Sequence, residues 1–307
     1  MAEHQGDTMT GITRLRPRFC LAFGCLLLAG CVAGPRARFH EAVSSARRAG
    51  LHLRVVDAGA FRLATWSRLT APGKPVDVYI EGDGFAWVTP HRPSDNPTPI
   101  DPVGLKLAMA DPGPNVVYLA RPCQYVGVGS NPRCTVAMWT GKRYSAAVVT
   151  ATNHAIDKLV GRKRKIELTG FSGGAAVAVL VAARRQDVVS LRTVAGEIDS
   201  AAFVRIHSLS PLSGSLDPAG VAHKLRGLPQ LHLVGGDDHV IPIQVARAYE
   251  RRAGPSPCIH VREIPGASHD HGWVKVWPRV LKARVECGRT PKVGHGVGGG
   301  RRAAKGR

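Results

Sequence analysis

Within the 307-residue chain, the segment Gly170-Phe171-Ser172-Gly173-Gly174 has the residue types and spacing that nucleophilic chemistry requires. It follows the strand-like run Lys165-Ile166-Glu167-Leu168 and opens an Ala/Val-rich stretch reaching Ala183. Such a G-x-S-x-G pentapeptide reads as a sharp strand-to-helix turn with the serine at its tip. Small residues two places to either side are needed because larger side chains would collide with neighbouring backbone. The turn lifts the Ser172 hydroxyl to the edge of a sheet and sets it at a helix N-terminus, where backbone N–H groups face a developing oxyanion.

A serine presented in this way needs a rigid sheet beneath it, and the apolar patterning predicts one. Residues 51–56 and 61–66 alternate apolar with polar, and Asp57-Ala58-Gly59 between them reads as a hairpin turn, so the chain is expected to begin antiparallel. Strand-like runs follow at 76–80, 116–119, 166–168, 191–194 and 231–234. Helical spacing fills the gaps at 101–110, 143–160, 174–185 and 243–252. Short apolar strands alternating with helices imply βαβ units, a mostly parallel sheet and ligands at the carboxyl ends of its strands. Five prolines between Pro90 and Pro102 exclude a helix or central strand and predict a stiff surface loop.

Over about residues 50–285 the order of these elements, with the pentapeptide, resembles the α/β-hydrolase superfamily. That resemblance implies an α/β fold with a mostly parallel twisted sheet, antiparallel N-terminal strands and helices on both faces. It also implies a triad in the chain order Ser, acid, His, each on a loop after a strand. Leu231-His232-Leu233-Val234 runs into Gly235-Gly236-Asp237-Asp238-His239-Val240-Ile241-Pro242, which looks like the family's acid loop and matches the acid to Asp238. Asp237 is the close alternative, and Asp199 a more distant one. Val261 to Trp273 resembles the segment carrying the general base, with His269 matching and His271 two residues on as the alternative. The resemblance assigns one oxyanion donor to the N–H of Gly173 and the other to the loop Glu81-Gly82-Asp83-Gly84-Phe85, at Asp83 or Gly84. This loop departs from the family's His-Gly-Gly pattern.

What the resemblance implies is a serine hydrolase cleaving a small-molecule ester through an acyl-enzyme, with no metal or organic cofactor. A peptidase or thioesterase would use the same triad, and a non-catalytic hydrolase-like binding lipoprotein would keep the fold alone.

The first thirty residues set the expected compartment. Arg14, Arg16 and Arg18 precede the apolar run Phe19–Leu28, and Ala29 and Gly30 follow, as in a signal peptide over residues 1–30; Met9 is an alternative start. Leu28-Ala29-Gly30-Cys31 looks like a bacterial lipobox, which implies lipidation of Cys31 and a lipid-anchored place in the cell envelope, periplasm-facing or at the outer membrane, with Val32 next favouring the outer membrane over retention at the inner one. Of seven cysteines, Cys20 and Cys25 would leave with the signal, and four remain for an oxidising periplasm. Pairing Cys123 with Cys134 and Cys258 with Cys287 closes the shorter loops, though four cysteines allow three connectivities. A zinc site is the weaker reading, since no C-x-x-C spacing occurs.

Composition bounds the rest. With 44% hydrophobic residues and a mean hydropathy near zero, the chain is neither a polytopic membrane protein nor a small disulfide scaffold. Residues 31–49 are expected as a linker, 50–287 as the hydrolase domain, and 288–307, with six Lys or Arg and no acid, as a disordered basic tail. The net charge of +20 attracts polyanions, but no groove-reading or base-stacking motif accompanies it, so it reads as a solvated basic surface without a specific nucleic-acid partner. The oligomeric state is left open. Changing Cys31→Ser is expected to move the protein from the membrane fraction to the soluble fraction on cell fractionation; unchanged partitioning would remove the lipid anchor.

Overall fold

The first two strands form the hairpin that the alternating runs predict. Strands β1 (His52–Asp57) and β2 (Arg62–Leu69) pair antiparallel, with Val55 opposite Ala64, and Asp57 Oδ1 accepts the Gly59 N–H at 3.0 Å, closing the turn. The structure is a computed structural model and describes residues 33–288. The signal segment, Cys31, Val32 and the basic tail beyond Gly288 lie outside the described residues.

From β3 onward strands and helices alternate. In chain order these are β3 (Val76–Ile80), β4 (Trp87–Thr89), β5 (Arg92–Pro93), helix α2 (Val103–Met109), β6 (Asn115–Leu119), α3 (Ala146–Val160) and β7 (Ile166–Phe171). Then come α4 (Gly173–Ala182), β8 (Val188–Val194), α5 (Ser200–Ile206), β9 (Gln230–Gly235), α6 (Ile243–Ala253), β10 (Ile259–Ile264) and α7 (Trp273–Lys282). Ahead of β1 the chain forms helix α1 (Pro35–Arg48). Eight strands make one sheet in the order β1-β2-β6-β3-β7-β8-β9-β10. β2 meets β6 antiparallel, and all later neighbours are parallel. The expected fold class is therefore present: a mixed, mostly parallel sheet with an antiparallel N-terminal edge.

Two apolar layers cover it. On one face the sheet packs against α3, α4 and α6 through residues such as Val148, Val177 and Tyr249. On the other it packs against α1, α2 and α7 through Ala46, Leu105 and Trp277. α4 is buried at all ten positions, which fits a helix apolar on every side and enclosed between sheet and neighbouring helices.

Two stretches depart from the expected organisation. Helix α1 lies inside the expected linker. Pro35 starts it, where a missing N–H costs nothing, and Ala42 and Ala46 lie one turn apart and are buried in the second layer. Within the proline-rich stretch β4 and β5 form a small hairpin apart from the main sheet; there Pro93 removes no ladder bond that a central strand would need. The four cysteines pair as Cys123–Cys134 and Cys258–Cys287, with Cα atoms 5.5 and 3.9 Å apart, and thus hold no zinc.

At the amino ends of the central strands Asp77 of β3 lies near Asp111, Glu167 and Arg192. Burial first, then the neighbouring Asp111 and Glu167 carboxylates, lift its pKa to about 7, against the pull of Arg192. The folded chain thus keeps a proton that the unfolded chain releases in the ordinary carboxylate range, so the contribution of Asp77 to stability falls as pH rises from about 4 to about 7, while buried His232, its pKa lowered to about 3, contributes the opposite trend below about 6.5. Asp77→Asn is expected to flatten that slope and, at pH 8, to raise the melting temperature by roughly 3–6 °C, equivalent to about 1–2 kcal/mol in a domain of this size. An unchanged slope in thermal melts across this range would contradict the assignment.

Candidate active site

Ser172 stands between β7 and α4 with φ +50° and ψ −121°, a left-handed conformation that a non-glycine residue adopts at a cost of about 1–3 kcal/mol. The surroundings hold it there. The Ser172 N–H donates to the Val194 carbonyl at 2.9 Å, and its own carbonyl accepts from Ala175 at 3.0 Å and Glu197 at 3.2 Å. The two outer glycines of the pentapeptide are required by contact. A Cβ on Gly170 would lie 2.5 Å from Cα of Ala175, and one on Gly174 would lie 2.3 Å from the carbonyl oxygens of both Ile80 and Glu81. The end of β3 and the start of α4 therefore touch through backbone alone.

The loop after β9 carries Asp238. Its Oδ1 accepts the N–H groups of Val240 and Ile241, both at 2.8 Å, which fixes the carboxylate plane and leaves Oδ2 directed at the segment after β10. There His269 Nδ1 lies 3.0 Å from Asp238 Oδ2 and His269 Nε2 lies 3.0 Å from Ser172 Oγ. The Asp238 side chain is wholly buried while that of His269 is 15% exposed, so the carboxylate is shielded and the imidazole has access to solvent. The Phe171 ring, 5.4 Å from the imidazole, and the bond from Trp273 Nε1 to the His269 carbonyl at 2.9 Å hold this segment in place.

The alternatives stand elsewhere. Asp237 is exposed, with its N–H on the Ala267 carbonyl. Asp199 is buried, caps α5 through the Ala202 N–H at 2.8 Å and lies 3.8 Å from Arg252. His271 is exposed and its ring faces Ser268, 3.5 Å away.

The loop after β3 passes beside the serine. A Cβ on Gly82 would lie 3.2 Å from Ser172 Cβ, so a side chain there would crowd the Ser172 side chain. The Gly82 N–H is occupied by Glu81 Oε1 at 3.0 Å. Gly84 has φ +68°, and a Cβ on it would lie 2.1 Å from the Pro97 carbonyl oxygen, which sets it against the strap at 97–99. Asp83, between them, faces Gly173, the first residue of α4. Behind this loop lie Arg121, Arg143, Tyr144 and Glu197, a buried polar cluster that pattern reading does not find. Its members come from segments far apart in the chain; the one local hint is Arg121-Pro122-Cys123-Gln124 directly after the apolar run of β6. Among the described residues no group of three metal-binding side chains converges.

The architecture is that of the α/β-hydrolase fold. A Pyrococcus furiosus esterase superposes with a TM-score of 0.53 at 14% identity, over 77% of this chain and 90% of that one. Est1E from Butyrivibrio proteoclasticus gives 0.50 at 14%, over 75% and 96%. Pyrococcus horikoshii acylaminoacyl peptidase gives 0.53 at 12%, over 75% of this chain and 39% of that one. No protein-family model matches the sequence, and no curated protein matches it.

The backbone contact at Gly174 sets the expected cost of filling it. Gly174→Ala is expected to destabilise the protein by about 3 kcal/mol, since neither carbonyl can yield without shifting β3; chemical denaturation measures this, and a loss below about 0.5 kcal/mol would contradict the close approach.

Proposed function

We propose that the protein is a serine hydrolase that cleaves carboxylic esters through an acyl-enzyme, and that Cys31 anchors it by lipid to the bacterial envelope. The observation carrying the catalytic reading is the pair of 3.0 Å contacts that link Ser172 Oγ to His269 Nε2 and His269 Nδ1 to Asp238 Oδ2. Nucleophile, base and orienting carboxylate thereby stand in line. The fold shared with esterases supports the same reading, and the lipobox-like Leu28-Ala29-Gly30-Cys31 supports the anchor.

In this mechanism Ser172 Oγ attacks the acyl carbonyl carbon as its proton passes to His269 Nε2. The carbonyl π pair moves to oxygen, and the resulting oxyanion accepts from the Gly173 N–H and from a second N–H in the loop after β3, where Asp83 is the residue facing the site. Asp238 stabilises the imidazolium through Nδ1–H without taking its proton. As the tetrahedral centre collapses, the C–O bond to the leaving alcohol breaks, and His269 returns the proton to that oxygen. Water, deprotonated by His269, then attacks the acyl-enzyme and frees the acid and Ser172.

A fluorophosphonate probe is expected to label the wild-type protein at Ser172 and to leave Ser172→Ala unlabelled; equal labelling of both removes the nucleophile assignment. Asp238→Asn is expected to lower ester turnover on the order of 10⁴-fold, with Asp237→Asn within about threefold of wild type. Turnover of peptides in place of esters, in a screen of leaving groups, would move the reading to a peptidase.

A further inference from the structure

The Asp83 side chain takes no part in acyl transfer, yet it lies against the residue that follows the nucleophile. A Cβ built on Gly173 would meet Asp83 Oδ1 at 2.2 Å, Cγ at 2.5 Å and Oδ2 at 2.7 Å. Only glycine at 173 leaves room for it. A lone carboxylate there would oppose an oxyanion forming nearby, and it is compensated. Arg121 Nη1 donates to Asp83 Oδ1 at 3.0 Å, Arg143 Nε lies 3.0 Å from Asp83 Oδ2, and the Tyr144 hydroxyl lies 3.3 Å from the same oxygen.

These partners are themselves anchored. Arg143 Nη2 and the Tyr144 hydroxyl donate to Glu197 Oε2 at 2.9 and 2.8 Å. Arg121 Nη2 donates to the Arg143 carbonyl. Both guanidinium groups lie over the Tyr144 ring, at 5.5 and 5.0 Å, and the arginine side chains are only 5% and 9% exposed. Glu197 closes the circuit through the 3.2 Å bond from its N–H to the Ser172 carbonyl. Four segments, those after β3, β6 and β8 and the one before α3, are thus tied together around the serine.

The main chain of the same loop is pinned on either side of Asp83. The Gly82 carbonyl accepts from Gln124 Nε2 at 2.9 Å, and the Phe85 N–H donates to the Pro97 carbonyl at 3.1 Å. The Gly82 carbonyl and the Asp83 N–H belong to one planar peptide, so the Gln124 bond fixes one side of that plane and the clamped Asp83 side chain fixes the residue on its other side.

We propose that Asp83 is a positioning residue: its carboxylate, clamped by Arg121 and Arg143, holds its own backbone N–H toward Ser172 as the second oxyanion donor. The inference rests on the serine-hydrolase reading and goes beyond it by making transition-state stabilisation depend on the largely buried ion cluster behind the loop. An oxyanion donor acts on the transition state, so its loss lowers kcat and kcat/KM together and leaves KM in place.

The test compares wild type with Asp83→Asn and, as a second variant that spares the loop, Arg143→Gln. Each is expected to lower kcat about 10²-fold with KM within about twofold. Each is also expected to weaken, by a similar factor, inhibition by a trifluoromethyl ketone, whose adduct with a serine carries the oxyanion. Wild-type kcat and ketone inhibition in both folded variants would overturn the inference, as would a raised KM at unchanged kcat, which would make the cluster a ground-state contact. Fluorophosphonate labelling of the wild type separates the two levels: with Ser172 labelled, a negative result falls on Asp83 alone, and without labelling the hydrolase reading itself fails.

Discussion

The carbonyl oxygens of Ile80 and Glu81 come so near the start of α4 that nothing larger than hydrogen fits on Gly174. This backbone-to-backbone contact fixes two things at once. It fixes how far α4 can approach the sheet, and hence where Ser172, one residue before the helix, presents its hydroxyl. It also fixes the origin of the loop that leaves β3 and passes beside that hydroxyl. Glu81 reinforces the arrangement from within. Its buried carboxylate accepts the N–H groups of Gly82, Gly104 and Leu105 and the Tyr118 hydroxyl, so the end of β3, the start of α2 and strand β6 share one hub. Burial pushes the Glu81 carboxyl up, and those four donors pull it back. An acid in this place is enclosed by the protein and ties its neighbours together from within.

The parts of the molecule that could be read from the chain are those whose signals are local. β3 occupies the expected residues 76–80, and α6 runs one residue past its expected end at 252, because an apolar run or stripe bounded by turn residues records its own limits. β7 runs three residues beyond its apolar run, to Phe171, since Thr169, Gly170 and Phe171 continue pairing with β8; neighbouring backbone outweighs the weak strand preference of glycine. Of the three side chains picked out by chain order, His269 stands within hydrogen-bond reach of both Ser172 and Asp238, because each of the three follows a parallel strand at the carboxyl edge of the sheet.

What is not read is of two kinds. Helix α1 does carry a local signature, since Phe39, Ala42, Val43 and Ala46 stand at helical spacing behind Pro35 and face one layer, but arginines and serines around them give the stretch the look of a linker; the cluster behind the β3 loop has no local signature at all. Arg121, Arg143, Tyr144 and Glu197 resemble the many other charged and polar residues of a basic chain, and only topology brings them together. The rivalry between Asp237 and Asp238 likewise turns on a single peptide step. One carboxylate faces solvent and the other meets two N–H groups and an imidazole.

The disulfide between Cys258 and Cys287 bears on motion as well as on stability. Its two ends bracket β10, the His269 segment and α7, so the portion of chain that delivers the imidazole is a hoop cinched where it joins the body. By chain entropy such a closure disfavours the unfolded hoop by about 3–4 kcal/mol. Unravelling that starts at the carboxyl terminus is arrested at the cystine, and any excursion of His269 away from Ser172 must carry the hoop with it or bend within its span. The imidazole is therefore hinged to the sheet at two points, although it sits in the last tenth of the domain to leave the ribosome.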